Sequence, residues 1–191
     1  MTYAPHVLTA RILPRTRVST TVLVVSFALL TALAAQWRIH LPFTPVPITG
    51  QTFAVLLAGV TLGVRAGAAS QLLYVAMGAV GLPVFSGGTG GWEVVTGATG
   101  GYLAGFIVAA AVVGALAERR HDRHFSTTLS AFLVGSFVIY AFGVAGLIGL
   151  AGMGLSEAVL KGVAPFVFGD VLKAGLAAVT LPAVWRIVGD R

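Results

Sequence analysis

Long apolar runs alternate along this chain with short segments rich in glycine, proline, arginine or histidine. Six runs stand out, at 18–36, 48–62, 66–82, 101–117, 127–151 and 163–188. A helix needs about 20 apolar residues to cross a bilayer, so the second and third runs are short and are expected to be less tilted or partly broken. The pattern predicts an all-α integral membrane protein, a six-transmembrane-helix bundle forming a single domain over 1–191.

Two connecting segments differ from the rest. At 41–50, LPFTPVPITG, three prolines fall within six residues. Each lacks an amide donor and clashes with a preceding helical turn, so an extended, semi-rigid connection is expected. At 83–101, PVFSGGTGGWEVVTGATGG, glycines open backbone angles closed to other residues. Phe85, Trp92, Val94 and Val95 are too apolar for a free solvent loop, so this segment is expected to fold as a lid over the mouth of the bundle. The pattern G-x-x-x-x-G-K-[ST] is absent, which argues against ATP hydrolysis by the chain itself.

Composition agrees with the pattern. Residues are 57% hydrophobic and 9% charged, with a mean hydropathy of +0.95, whereas soluble domains carry about 25% charged residues. The net charge of +6 comes from residues between spans and does not point to nucleic acid. With six spans and a cytoplasmic start, Arg11, Arg15, Arg17, Arg65, Arg119, Arg120, Arg123, Arg186 and Arg191 lie inside, and Arg38 and Lys161 outside. That asymmetry predicts both termini in the cytoplasm. The loop ERRHDRH at 118–124 then serves as a topology anchor or as a partner contact. Arg11, Arg15 and Arg17 ahead of an apolar run also resemble a signal peptide, but a retained first span is expected. Cysteine is absent and no histidine lies within a run, so neither a metal nor another cofactor is expected.

The candidate chemistry lies in the last run. Asp170 and Lys173 are three residues apart on an otherwise apolar helix and share one face. Each costs about 2.5–3.5 kcal/mol at a membrane centre, so both should face a bundle interior, a wet cavity or each other. Two readings follow: an internal ion pair that holds the helix in register, or a ligand contact. Gln51, Gln71, Tyr74 and Tyr102 are polar positions on apolar spans, and Ser86 and Thr99 lie on the lid segment. Each fits a ligand contact or a hydrogen bond between helices. No serine at membrane depth has the context of a nucleophile with a base, so the chain is not expected to be an enzyme.

The run PFTPVPITGQTFAVLLAGVTLGVRAGAASQLLYVAMGAVGLPVFSGG, continuing through TGATGGYLAGF and taken up again at PFVFGDVLKA, resembles the BioY family. These are the biotin-specific substrate-binding (S) components of energy-coupling factor (ECF) transporters. One departure is Ala98, where the family usually has proline before Thr-Gly-Gly-Tyr. The resemblance implies high-affinity biotin capture and uptake across the bacterial cytoplasmic membrane, with a transmembrane coupling (T) protein and a cytoplasmic ATPase pair as partners. A self-sufficient or homo-oligomeric biotin facilitator is the alternative. The resemblance also implies a ligand role for Asp170 and Lys173, carried over from the Gly-Asp-x-x-Lys segment; Gln51, Tyr74, Ser86 and Tyr102 are further candidate substrate contacts, from their own polarity and position. Phe53, Phe85 and Trp92 are candidates to flank the ligand's rings. Relatives of this type dock the coupling protein through an Ala-x-x-x-Ala face on the first span, which Ala28 and Ala32 match, with Ala35 beside them.

Overall fold

The computed structural model describes residues 6–14 and 16–189. Arg15 and Arg191, two of the charges used for orientation, lie outside the described residues. The helices are α1 (Thr9–Ile12), α2 (Arg17–Gln36), α3 (Gln51–Ala79), α4 (Trp92–Val95), α5 (Gly100–Glu118), α6 (Phe125–Gly149), α7 (Leu155–Gly162) and α8 (Ala164–Val188). Strands β1 (Arg38–Ile39) and β2 (Ile48–Thr49) form a small antiparallel ribbon with Arg38 opposite Thr49. Among the described residues, α2, α3, α5, α6 and α8 are long and apolar enough to cross a membrane.

The predicted second and third runs both lie in α3, which is not straight. Gly63 has φ 80° and ψ −177° in its middle, a conformation open to glycine and closed to most side chains. The chain reverses there. The Gln51 amide reaches the Tyr74 hydroxyl at 2.7 Å, although 23 residues of straight helix would separate them by about 34 Å. The break frees the Val64 N–H, which donates to the Glu118 carboxylate at 2.9 Å. The two halves are therefore antiparallel and pack closely, with Gly67 against the backbone of Gly59.

The proline-rich segment is non-helical, as expected, and the ribbon brackets it. α7 was not anticipated. It is a short amphipathic helix with the ion pair Glu157–Lys161 at 2.7 Å on its polar side and Leu155 and Leu160 exposed. The segment ahead of α2 packs inward too: Val7 is fully buried and the Thr9 hydroxyl donates to the Thr61 carbonyl at 2.8 Å.

At the end of the bundle that holds the start of α2 and the end of α8, the α5–α6 loop docks on α8. The Trp185 indole N–H donates to Asp122 at 2.6 Å, and the Arg123 guanidinium lies 4.1 Å from the centre of the Trp185 ring. Two of the loop's charged residues, Asp122 and Arg123, are thus engaged by Trp185 within the fold.

The face of α2 proposed for docking is occupied. Ala28 and Ala35 are fully buried and Ala32 is 9% exposed. Thr31, between them, meets the Gln71 side chain of α3 at 3.3 Å. Small residues let α2 approach α3 closely, and that contact lies inside the chain. The open face of α2 carries Val18, Val22, Leu29 and Leu33 instead. In this chain Ala28, Ala32 and Ala35 are therefore packing residues between α2 and α3.

Candidate functional site

A cavity of about 270 Å³ lies at the end of the bundle opposite the α5–α6 loop. Its walls come from the ribbon, the starts of α3, α5 and α8, the second half of α6, and the 85–99 segment. The starts of α3 and α8 come together here because the Lys173 ammonium donates to the Thr49 carbonyl at 2.9 Å, just ahead of α3.

The charged pair lies in the cavity wall. Lys173 Nζ is 2.8 Å from Asp170 Oδ1, and Asp170 is only 5% exposed. The ion-pair reading holds, and both members of the pair line the cavity. Lys173 also donates to the Thr52 hydroxyl at 2.8 Å. Its three N–H donors therefore meet three protein acceptors, Asp170, Thr49 and Thr52. The Thr52 hydroxyl in turn donates to Asp170 Oδ1 at 2.8 Å, and the Tyr140 hydroxyl donates to Asp170 Oδ2 at 2.6 Å. A carboxylate in an apolar bundle is stabilised here by a cation and two hydroxyls.

The other sequence candidates divide. Gln51 lines the cavity; its carbonyl accepts from the Thr49 hydroxyl at 2.8 Å and its amide donates to Tyr74. Tyr74 does not reach the cavity. It is fully buried behind Gln51 and meets the Phe85 ring edge-on at 5.6 Å. Its place is that of a support. Tyr102 lines the cavity with its ring, while its hydroxyl donates to the Gly162 carbonyl at 2.7 Å and ties α5 to α7. Ser86 lines the cavity, and its buried Oγ has no hydrogen-bond partner among the described residues. Thr99 lines it too, whereas Gln71 is spent on the α2–α3 contact.

The lid expectation holds in its main part. Phe85, Ser86, Thr89 and Val94 form one wall. Phe85 is 2% exposed and packs face-on against Gly78, where any side chain would collide with its ring. Trp92 points outward and is exposed, and Phe53 pairs with Phe132 at 6.2 Å instead of reaching the cavity. Of the three aromatic candidates only Phe85 flanks the space.

Sequence reasoning missed Thr52, Tyr140, Arg38 and His40, all of which line the cavity. Tyr140 carried a usable signal, a phenol within the fifth apolar run. Arg38 was read only as a charge outside the membrane; pairing of β1 with β2 brings it to the mouth of the cavity, against Gly87.

The BioY family model matches residues 8–190. The chain belongs to the BioY family. Among curated relatives, the biotin transporter BioY of Rhizobium etli is 42% identical over 164 residues, covering 82% of this chain and 87% of that protein. The biotin transporter BioY of Thermotoga maritima is 41% identical over 140 residues, covering 73% of this chain and 81% of its own. A crystal structure of the S-component for biotin from an ECF-type ABC transporter matches with a TM-score of 0.79 at 24% identity, over 91% of this chain and 95% of that one. This likeness establishes the fold that the BioY chain shares.

Proposed function

We propose that this chain captures biotin as the substrate-binding subunit of an ATP-driven ECF importer in a bacterial cytoplasmic membrane. The whole chain acts as one non-enzymatic domain. The observation that carries the reading is the cavity in a BioY-family fold, with the Asp170–Lys173 pair in its wall and Arg38 at its mouth.

Six crossings with both termini in the cytoplasm fit this reading. The reversal at Gly63 makes two crossings of α3, about 18 Å and about 24 Å long at 1.5 Å per residue. Both are shorter than the hydrocarbon core of about 30 Å. The arginine asymmetry sets the orientation, and the cavity then opens to the outside, where the vitamin arrives.

The chemistry of the ligand matches groups in the cavity wall. Its ureido N–H groups need acceptors, and the Asp170 carboxylate is one. Its ring carbonyl needs a donor, and the Ser86 hydroxyl has an uncommitted proton. Phe85, Leu103, Phe106, Ile139 and Phe166 enclose the apolar thiophane ring. The tail carboxylate needs a cation. Lys173 has no spare N–H, so Arg38 takes that role, with two-pronged donors suited to a carboxylate.

The deciding experiment is calorimetric titration of the purified chain with biotin. Saturable one-to-one binding is expected, and no heat at millimolar ligand would end the proposal. Uptake in cells with and without the coupling protein and ATPases tests the second part; equal uptake in both would favour a self-sufficient facilitator.

A further inference from the structure

We propose that Tyr140 determines specificity by direct contact: having given its proton to Asp170, its oxygen accepts a hydrogen bond from one ring N–H of the ligand. The inference rests on the biotin reading above.

The argument begins with the hydrogen-bond inventory. A phenol has one proton, and that of Tyr140 points at Asp170 Oδ2, 2.6 Å away. The carboxylate has no proton to return, so toward the cavity the Tyr140 oxygen is an acceptor only. Asp170 Oδ1 is already shared by Lys173 and Thr52, whereas Oδ2 receives Tyr140. The free acceptor capacity of this corner is therefore concentrated on two adjacent oxygens, Asp170 Oδ2 and Tyr140 Oη. Tyr140 and Asp170 sit on different helices, α6 and α8, and both line the cavity.

Two adjacent acceptors among Phe106, Ile139 and Phe166 favour a ligand with two neighbouring N–H donors. A cyclic urea has that pattern. A ring oxygen or an N-methyl group at either place sets a lone pair or a methyl against an acceptor. Thr52 has less to offer, because one of its oxygen's two lone pairs already accepts from Lys173 while its proton goes to Asp170. Of the two hydroxyls that donate to Asp170, that of Tyr140 is the one whose oxygen accepts from no other described residue.

The test pairs the protein with the ligand. Biotin and its two singly ring-N-methylated derivatives are titrated calorimetrically against the wild-type chain and Tyr140→Phe. Wild type is expected to bind both derivatives at least roughly tenfold more weakly than biotin. In Tyr140→Phe, biotin weakens by roughly tenfold, and one of the two methylation penalties disappears while the other persists. If Tyr140 only positions Asp170, biotin weakens but both penalties persist, and the assignment is overturned. Unchanged biotin affinity in Tyr140→Phe overturns it as well. Should the variant fold poorly, wild type alone decides: a derivative that binds as well as biotin refutes the paired acceptors. Failure of wild type to bind biotin at all is a separate result, which removes the substrate reading and this assignment with it.

Discussion

The Thr52 hydroxyl donates to Asp170 at 2.8 Å across 118 residues of sequence, while accepting from Lys173 at 2.8 Å. One small side chain on α3 thus orients both members of the charged pair on α8. Thr52→Val keeps the shape and removes both bonds. Biotin affinity is expected to fall roughly tenfold, for about 1.5 kcal/mol lost through a charged partner. Calorimetry on the purified variant measures it, and an unchanged affinity would show that the pair needs no help from α3.

Removing the cation tests a different quantity. Lys173→Met leaves Asp170, 5% exposed, with hydroxyl donors but no counter-charge. A loss of about 3–5 kcal/mol in folding stability is expected. The double variant Asp170→Asn with Lys173→Met should recover most of it, because the remaining polar groups are neutral. Denaturation in detergent follows both. A single variant as stable as wild type would mean that Asp170 takes up a proton or water at no cost.

Arg38 is predicted to read the ligand's tail. Arg38→Gln should weaken biotin by at least roughly tenfold and leave the affinity for biotinamide unchanged, since a charge-assisted pair is lost only with the acid. An equal loss for acid and amide would assign Arg38 to the ribbon's packing on Gly87 and not to the ligand.

At the opposite end, burial pushes the Asp122 carboxyl above its ordinary value of 3.8, although the Trp185 hydrogen bond, a backbone bond, Arg123 and His121 pull it down. The folded chain therefore holds this proton more tightly than the unfolded one. The stabilisation is fully present below 3.8 and is lost as pH rises through the folded value. Asp122→Asn mimics the protonated form and can still accept from Trp185. Its melting temperature should gain on wild type as pH is raised out of the acid range, and a constant difference would show that Asp122 does not titrate differently on folding.

The extent of the first and last spans, the extended proline segment and the common face of Asp170 and Lys173 were legible in the sequence. Each depends on local covalent chemistry: apolar length, a missing amide, an i,i+3 spacing. The inward fold of the lid segment was legible from its aromatic residues, though Trp92 and Phe85 took opposite sides. Which way each helix turns about its axis was not legible. In a soluble helix an apolar stripe marks the buried side, but in lipid both the buried and the exposed sides are apolar. Ala28, Ala32 and Ala35, given a docking role by the family resemblance, are buried in this fold. Tertiary structure alone decided that Gly63 reverses α3 and sets Gln51 on Tyr74, and that Thr52 and Tyr140 close on Asp170. Those contacts join residues 23 to 118 positions apart, where no local preference reaches.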